Sequence, residues 1–395
     1  MNHQSYDIVI VGAGITGATL ANLLAKKTNL SIAVLDSHMP VSDWSADEYS
    51  QRVSAINHTA VQVFQQLGIW KTLCAKRVSA YTHMSVWDEA SIGQIEFDAA
   101  DVHLPYLGYI IENNLMQAVL LAALKEESRV THYWPVELMT LEEQHDGLLL
   151  KTKDQLSIKA KLVIAADGAH SWIRKAANIE ISESPYHQVA IVASIKTASP
   201  HQQIARQAFL PTGPLALLPL QDSQAHSIVW SCELEKANRL LAMSDAEFCK
   251  ALSSAFDFQL GDVISTSKRA SFPLVMRHAK KYVKPHLALV GDAAHTIHPL
   301  AGQGLNIAIM DVIKLVDLIS QACQKGKPFY SDRLLRGYGR ARKAENTLIV
   351  KAMGGFKELF ATQLTPLMIA RSQGLRLINC CSFIKNIFIK HAMGL

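Results

Sequence analysis

Residues 7–36 read DIVIVGAGITGATLANLLAKKTNLSIAVLD, an apolar run followed by a glycine-rich turn, a helix-forming stretch and a second apolar run. This order is typical of a strand, a helix and a second strand. Gly12 would allow the tight turn, and Gly14 would let a pyrophosphate group approach the backbone at the helix start. Gly17 would allow close packing of helix and strand, and Asp36 ends the second strand, where it can accept from ribose hydroxyl groups. The segment therefore predicts a dinucleotide-binding unit, because a chance glycine turn would not explain the elements around it.

A second glycine-rich loop, GDAAHTIHPLAGQGLN, occupies residues 291–306 and follows the apolar run at residues 287–290. Gly291 would let the chain turn sharply, and the carboxylate of Asp292 can accept hydrogen bonds from a sugar-like polyol. Hydrophobic periodicity predicts a helix over residues 305–319, whose N-terminal amide groups would face a ligand held in the loop. Taken alone, the loop is explained equally by an ordinary strand-to-helix turn with capping glycines.

A third site of this kind lies between the other two, at residues 162–174, which read LVIAADGAHSWIR. An apolar strand runs into Asp167-Gly168, and a basic residue, Arg174, follows one short helix later. By itself this pattern predicts only a β-turn. Three strand-loop-helix sites in this order are not plausibly coincidental, so we interpret them as parts of one flavin site.

With these motifs the sequence resembles the aromatic hydroxylases of the para-hydroxybenzoate hydroxylase class, flavoprotein monooxygenases with a GxGxxG site, an Asp-Gly motif and a Gly-Asp motif. The match narrows to the ubiquinone-biosynthesis hydroxylase family. Besides residues 291–306, the segments that look like this family are RVSAIN at 52–57, LGYIIEN at 107–113 and AMGL at 392–395. The segments most similar to its VisC-type branch, the 2-octaprenylphenol hydroxylases, are Trp87-Asp88 and residues 205–207, 227–231 and 255–257. The resemblance covers nearly the whole chain.

The resemblance implies an α/β fold with a Rossmann-like FAD-binding domain of the para-hydroxybenzoate hydroxylase type, an inserted antiparallel-sheet substrate domain and a C-terminal helical region. The chain agrees with this, because the flavin motifs are widely separated and the region between the last two is rich in apolar or alternating runs. The expected divisions are 1–75, 105–183 and 274–345 for the FAD-binding domain, 76–104 and 184–273 for the substrate domain, and 346–395 for a basic amphipathic helical region.

The residues expected to hold the cofactor are Gly12, Gly14, Gly17, Asp36, Arg52, Glu112, Asp167, Gly168, Gly291, Asp292, Pro299, Gly302, Gln303, Gly304 and Asn306. The resemblance places Arg52 close to the cofactor, where a guanidinium can neutralise a pyrophosphate or support the flavin, with a surface ion pair as the alternative. Glu112 falls where related enzymes have a polar side chain near the ribityl chain, although helix capping or a salt bridge explains it equally well. No catalytic base is recognisable. His298 and Pro299 are candidates for shaping the substrate pocket, with a purely structural role as the alternative.

The reaction that the resemblance implies is hydroxylation of a polyprenylated phenol or benzoquinol ring in ubiquinone biosynthesis, with 2-octaprenylphenol as the expected substrate and a catechol-type product. Reduced FAD would react with dioxygen to give a flavin C4a-hydroperoxide, whose distal oxygen is attacked by the ring. Only one GxGxxG is present, so NAD(P)H is expected as a transient reductant, unless another donor replaces it. Three alternatives stay open: another ring position in the same pathway, a flavin dehydrogenase that does not use oxygen, and a scaffold subunit of a lipid-processing complex.

The positive charge of the chain is concentrated in its C-terminal region. The 395 residues are 49% hydrophobic and 18% charged, and residues 333–395 contain 11 Lys or Arg and 2 acids in a chain of formal net charge +5. The basic residues Arg371, Arg376, Lys385 and Lys390 alternate with apolar ones, which predicts either a helix on an anionic membrane surface or a helix packed on the first domain with a solvated basic edge.

The remaining expectations concern ligands, partner molecules and the location of the protein in the cell. No nucleic-acid-binding motif accompanies the basic residues, and no histidine or cysteine set has metal-ligand spacing, so we expect neither nucleic acid nor metal. No signal peptide or membrane span is recognisable, so we expect a cytoplasmic enzyme. Peripheral attachment to the inner face of the cytoplasmic membrane and contact with other proteins of ubiquinone biosynthesis would suit a lipid substrate.

Overall fold

The computed structural model describes residues 3–40, 44–296, 304–361, 365–381, 385–386, 389–390 and 393–394. Its strands are β1 (His3–Val11), β2 (Ile32–Leu35), β3 (Val53–Ile56), β4 (Ser79–Tyr81), β5 (His83–Asp88), β6 (Gln94–Asp98), β7 (Gly108–Glu112), β8 (Val130–Tyr133), β9 (Leu138–Gln144), β10 (Gly147–Thr152), β11 (Ser157–Ala165), β12 (Ile181–Thr197), β13 (Ile204–Leu210), β14 (Gly213–Pro219), β15 (Ala225–Glu233), β16 (Val263–Thr266), β17 (Ala270–Ala279), β18 (Val283–Lys284), β19 (Leu287–Leu289) and β20 (His295–Thr296). Its α-helices are α1 (Ile15–Lys27), α2 (His58–Leu67), α3 (Trp70–Lys76), α4 (Asn113–Lys125), α5 (Trp172–Ala176), α6 (Leu234–Ala242), α7 (Asp245–Ala255), α8 (Gly304–Gln324), α9 (Asp332–Ala361) and α10 (Thr365–Cys380). Short 3-10 helices occur at Ala99–Val102 and Gly291–Ala293.

The first sheet has eight strands and a parallel centre. β19, β11, β1, β2 and β8 lie side by side in that order and run in the same direction. Their apolar residues are buried, as expected when helices cover both faces of a parallel sheet. α1 packs between α4 and α8. The α/β fold class predicted from the sequence is thus confirmed.

The second sheet has nine strands, and all but one of its pairings are antiparallel. The exception is β5, which pairs in parallel with β13, so that His83 lies opposite Ile204 and Asp88 opposite Phe209. This departs from a wholly antiparallel sheet because β5 comes from a distant part of the chain rather than from a neighbouring hairpin. The sheet packs on α6 and α7, two helices that the sequence analysis did not predict, and Trp230 and Phe248 are fully buried between the two layers.

A small sheet of β3, β7 and β4 joins the two large ones through a cluster that includes Ala55, Ile110 and Leu218. The predicted domain boundaries at residues 183/184 and 273/274 fall inside β12 and β17, so the second sheet continues across both of them. The division into domains itself stays a prediction.

The C-terminal region packs against the second sheet. α10 contacts β6, and Arg371 forms a buried ion pair with Asp88 of β5 at 2.7 Å. Lys385 pairs with Asp101 at 2.8 Å, so two of the basic residues expected to face solvent or lipid are matched by acids from elsewhere in the chain. This favours the packed alternative, although the helix lies on the second sheet and not on the first domain. Among the described residues, no helix combines the length and apolarity needed to cross a membrane.

Candidate functional site

The loop after β1 contains the first glycine motif. Gly12 adopts φ +107°, and a Cβ atom there would lie 2.3 Å from the carbonyl oxygen of Ala166. A Cβ atom at Gly17 would lie 1.9 Å from the carbonyl oxygen of Gly12, so only glycine permits this approach of helix and strand. Gly14 is the N-cap of α1, and a Cβ atom there would have no neighbour within 4 Å. The open side of the loop therefore lies at Gly14, beside the unpaired amide groups of α1.

Asp36 follows β2 and supports this loop. Its Oδ2 accepts a hydrogen bond from the Ala13 N–H at 2.7 Å, and its Oδ1 accepts one from the His38 N–H at 3.0 Å. The carboxylate thus fixes the backbone next to Gly14. Its contact with a ribose stays a prediction.

The Asp167-Gly168 turn follows β11, the neighbour of β1. Asp167 Oδ2 accepts from the Ile173 N–H at 3.1 Å, whereas its Oδ1 is buried and has no hydrogen-bond partner among the described residues. Burial raises the pKa of Asp167, and hydrogen bonds from Ser171 and Ile173 act against this. Gly168 adopts φ +79° and has open space beside it. Because buried polar atoms are rarely left unpaired, a ligand hydroxyl would be stabilised at this oxygen.

Arg174 connects this turn to the Gly291-Asp292 turn. Its Nη1 donates to the carbonyl oxygen of Ala293 at 2.9 Å, and its Nη2 donates to that of Ala169 at 2.8 Å. The side chain is buried, and loss of solvation lowers the pKa of its guanidinium. The sequence marked Arg174 only as a basic residue after a short helix, and the structure makes it the bridge between two motifs.

The Gly291 turn is wedged between α1 and α8. Gly291 adopts φ +57°, and a Cβ atom there would lie 3.1 Å from side-chain carbons of both Thr16 and Ala308. All three turns occupy one edge of the sheet, because β19, β11 and β1 are parallel neighbours. Ligands of open α/β sheets bind at this carboxyl edge. The fold therefore brings the three sequence motifs together.

A buried ionic network lies behind the Gly291 turn, and the sequence analysis did not predict it. Asp311 of α8 is 0% exposed, and its Oδ2 accepts from the Gly291 N–H at 3.0 Å. The same oxygen lies 2.6 Å from His295 Nε2. Its Oδ1 accepts from Arg342 Nε at 2.6 Å and from Asn346 Nδ2 at 3.2 Å. The Asp311 carboxylate therefore ties the turn to α9.

Electrostatics keep Asp311 ionised. Burial alone would raise the pKa of its carboxyl group, but the charges and hydrogen bonds of His295 and Arg342 outweigh burial and lower that pKa below its ordinary value. A charged residue within an apolar helix is the signal that could have identified this residue from the sequence, since ionised side chains are rarely buried without a partner.

Asp292 itself is exposed to solvent at the edge of the site. The pKa of its carboxyl group is nevertheless raised, because protein surrounds the open site on several sides and reduces the solvation of that group, and the positive charges of His295, Arg52 and Arg277 act in the opposite direction. Arg52 lies over the ring of Phe272 at 5.7 Å and forms no ion pair with any described residue. The surface ion pair considered as its alternative therefore has no partner within the described ranges.

Glu112 is held by protein contacts. Its Oε2 accepts from Arg77 Nε at 2.7 Å and its Oε1 from Arg77 Nη2 at 3.2 Å, while the Ser50 N–H and Trp44 Nε1 donate to the same carboxylate at 2.6 Å and 3.2 Å. The salt bridge that the sequence left open is thus present. A role of Glu112 at a bound flavin stays a prediction.

Asn306 ties α8 to β3. Its Oδ1 accepts from the Asn57 N–H at 3.1 Å, and its Nδ2 donates to the Ala55 carbonyl oxygen at 2.8 Å. Gly304 is the first residue of α8, and a Cβ atom there would have no neighbour within 4 Å. Four candidates, His298, Pro299, Gly302 and Gln303, lie outside the described residues. Within the described ranges, no group of three or more His, Cys, Asp and Glu side chains is arranged to hold a metal ion.

The residues present fit a flavin dinucleotide. The open backbone at Gly14 suits a phosphate at a helix start, and the unpaired Asp167 Oδ1 suits a hydroxyl donor such as a polyol. Gly168 and Gly304 leave space at the same edge.

Comparison with known proteins agrees with this fit. A family model described as an FAD binding domain matches residues 5–352. The 3-demethoxyubiquinol 3-hydroxylase of Escherichia coli (strain K12) is 36% identical over 395 residues, which are 100% of each chain. The ubiquinone biosynthesis monooxygenase COQ6, mitochondrial, of Mus musculus is 33% identical over 428 residues, covering 96% of this chain and 89% of that protein.

Among solved structures, p-nitrophenol 4-monooxygenase PnpA from Pseudomonas putida DLL-E4 has a TM-score of 0.80 and 16% identity, covering 100% of this chain and 99% of the other. At this identity the likeness concerns the fold alone.

Proposed function

The chain belongs to the FAD-dependent monooxygenase family of the ubiquinone-biosynthesis hydroxylases, and from this premise we propose that it hydroxylates the ring of a polyprenylated phenol. The substrate that we propose first is 2-octaprenylphenol, with a catechol-type product. The observation that carries the proposal is the meeting of three turns at the carboxyl edge of β1, β11 and β19, with open backbone at Gly14 and an Asp167 oxygen that has no hydrogen-bond partner among the described residues.

We propose a distinct task for each turn. The amide groups at the start of α1, beside Gly14, would hold the pyrophosphate, and Asp167 and Asp292 would accept from the polyol of the cofactor. Arg52 would add positive charge near the flavin, because its guanidinium already acts on Asp292 and has no ion pair among the described residues. Bound FAD, once reduced by NAD(P)H or another donor, supplies the activation of dioxygen.

The protein would contribute orientation and exclusion of water. The second sheet and the cluster of Ala55, Ile110 and Leu218 place apolar surface between the two large sheets. A ring held there would be kept from bulk solvent. No general base is proposed, and His298 and Pro299 are retained as proposed pocket residues.

The second candidate function is hydroxylation at another position of the ring, and one comparison favours it. The Escherichia coli relative that matches 100% of the chain is a 3-demethoxyubiquinol 3-hydroxylase, so a later, already substituted quinol is the alternative substrate. The VisC-type segments at Trp87-Asp88 and residues 205–207 support the prenylphenol instead. The two substrates differ in the groups already on the ring.

We also propose where the enzyme works. A polyprenylated substrate resides in a membrane, so peripheral attachment to the inner face of the cytoplasmic membrane and contact with other ubiquinone-biosynthesis proteins would bring the ring to the site. The paired state of Arg371 and Lys385 means that such attachment would not depend on those two charges.

The test uses purified, FAD-loaded protein with NADH or NADPH and either 2-octaprenylphenol or 3-demethoxyubiquinol, and the products are identified by mass spectrometry. The proposal expects kcat/KM for the prenylphenol to exceed that for the quinol by at least about tenfold, a difference of ~1.4 kcal/mol in transition-state binding. The opposite ratio would establish the second candidate. Turnover of neither, by protein that retains FAD and oxidises the nicotinamide, would refute both substrates.

A further inference from the structure

A groove with a volume of about 830 Å³ lies between the start of α9 and the chain around β18, and none of the predicted cofactor residues lines it. The volume is in the range of small-molecule sites, about 300–1,000 Å³. Arg333, Arg336, Arg340 and Lys343 project along one face of α9 at spacings of three and four residues. Lys280, Lys281 and Lys284 lie on the opposite wall.

The groove concentrates the charge of the protein. Its lining includes seven Lys or Arg and two acids, a net +5. The chain has 39 basic and 34 acidic residues, so the remainder has 32 of each sign and no net charge. The lining of the groove is therefore a strongly basic surface.

Most of these cations form no ion pair with a described acid. Lys280 pairs with Glu180, and Arg336 pairs with Asp332. Four others, Lys281, Lys284, Arg333 and Arg340, form no ion pair with any described residue. Clustered like charges repel one another, and an anion in the groove would relieve that repulsion.

The shape of the groove is set by close packing at its floor. A Cβ atom at Gly339 of α9 would lie 3.2 Å from Cγ2 of Val283, so the helix approaches the opposite wall closely at this point. Lys343 Nζ reaches across to the carbonyl oxygen of Lys280 at 2.5 Å. Val283, Pro285 and Leu335 add apolar surface. The groove thus combines a basic rim with apolar lining.

We propose that this groove binds a phosphate-bearing organic ligand, with Arg333 and Arg340 on one wall and Lys281 and Lys284 on the other contacting the phosphate oxygens. Arginine suits a phosphate group because its planar guanidinium can donate two parallel hydrogen bonds to two phosphate oxygens. The apolar lining leaves room for the organic part. The phosphate can belong to a free nucleotide or to a lipid headgroup.

The experiment measures binding to the FAD-loaded full chain at low salt. One arm titrates inorganic pyrophosphate, then NADPH and NADH, by calorimetry, because NADPH has one more phosphate than NADH. The other arm measures sedimentation with vesicles of phosphatidylglycerol and phosphatidylcholine against vesicles of phosphatidylcholine alone. The two arms separate a free phosphate from a lipid phosphate.

The test variant is Arg333→Glu/Arg340→Glu, and Arg333→Gln/Arg340→Gln replaces it if charge reversal impairs folding. The matched control is Lys71→Glu/Lys250→Glu, or Lys71→Gln/Lys250→Gln for the glutamine variant, which changes the net charge equally at two exposed positions outside the groove. Circular dichroism and flavin content confirm that each variant is folded.

The proposal expects the groove variant to bind at least about tenfold more weakly in one arm, while the control stays within about twofold of the wild type. Loss confined to the nucleotide arm identifies a free phosphate ligand, and loss confined to the vesicle arm identifies a lipid headgroup. Equal binding by groove variant and control in both arms would overturn the proposal, and so would absence of wild-type binding to every probe. Because these readouts do not involve hydroxylation, they are independent of the proposed reaction.

Discussion

Replacing Asp311 with Asn should loosen the Gly291-Asp292 turn and weaken flavin retention. The substitution keeps the shape of the side chain and removes its charge. Asp311 accepts from the Gly291 N–H and from Arg342, and both contacts are buried. An amide at this position would place donor hydrogens against at least one donor that the carboxylate now satisfies.

The expected cost follows from burial. Removing one partner of a buried ion pair costs about 3–5 kcal/mol, because it leaves the other charge uncompensated. The lower value applies here, since Arg342 keeps its contacts with Glu345 and Asn346. If the substitution destabilised the FAD-binding conformation of the turn by the full ~3 kcal/mol, the Kd for FAD would rise by about 100-fold.

The loss of free energy can weaken FAD binding or lower the stability of the protein, and the assay measures both. FAD binding to the flavin-free protein gives Kd, and urea unfolding of the same protein gives the change in stability. Asp317→Asn is the matched control, because Asp317 lies on the same helix and its pair with Lys27 is at the surface. That control should change neither quantity by more than ~1 kcal/mol. If Asp311→Asn matched the control in both, the supporting role of Asp311 would be refuted.

The pH dependence gives an independent check. The Asp311 pKa is lowered in the folded state, so its contribution is complete above the unfolded pKa and is lost as the pH falls through the folded one. The stability difference between wild type and Asp311→Asn should shrink as the pH falls below about 4, where the carboxyl group of Asp311 becomes protonated.

Three further substitutions test other contacts. Gly14→Val should abolish flavin retention but leave the urea midpoint of the flavin-free protein unchanged, because a Cβ atom at Gly14 meets no neighbour within 4 Å. Asp88→Asn should cost about 3 kcal/mol and expose α10 to protease, because the buried guanidinium of Arg371 would lose the charge opposite it. His226→Phe should reduce the loss of stability between pH 7 and pH 5 that urea unfolding measures, because burial, helped by nearby positive charge, lowers the pKa of His226 to about 3. The wild type should therefore lose about 2 kcal/mol between pH 7 and pH 5 that the variant keeps.

Each of these three substitutions has a control variant for which a different result is expected. Gly12→Val should prevent folding, because a Cβ atom there would lie 2.3 Å from a backbone oxygen. Asp98→Asn removes an exposed pair with His83 on the same sheet as Asp88 and should leave α10 protected. His83→Phe should leave the acid sensitivity in place. Full flavin occupancy in Gly14→Val, or the same pH response in His226→Phe and wild type, would contradict the respective assignment.

The motifs that could be predicted from the sequence each lie within one short segment of the chain. Gly12, Asp167 and Gly291 each follow a buried strand within two residues, so strand, turn and helix are all encoded within about twenty residues. The neighbouring order of β1, β11 and β19 then follows from the parallel sheet, which places the three turns at one edge. This is why the fold class and the meeting of the motifs could be anticipated.

Contacts between distant segments could not be anticipated in the same way. Asp311 lies on α8 and Arg342 on α9. An acid within an apolar helix could have marked Asp311 as a buried residue, but only the packing of α8 on α9 shows that Arg342 is its partner. The pairing of Asp88 with Arg371 likewise joins residues from opposite ends of the chain. Helix α7 was missed although Ser244 and Glu247 form a capping box, a signal that the sequence did contain.

The central claim is that this FAD-dependent enzyme inserts oxygen from dioxygen into a prenylated phenol ring. The most direct test supplies the loaded enzyme with reductant, 2-octaprenylphenol and ¹⁸O-labelled dioxygen, and follows the label and the oxygen consumed. The account predicts one labelled oxygen atom in each product ring and oxygen consumption no smaller than product formation. A product without the label, or one formed equally well in the absence of oxygen, would contradict the account and favour a flavin dehydrogenase.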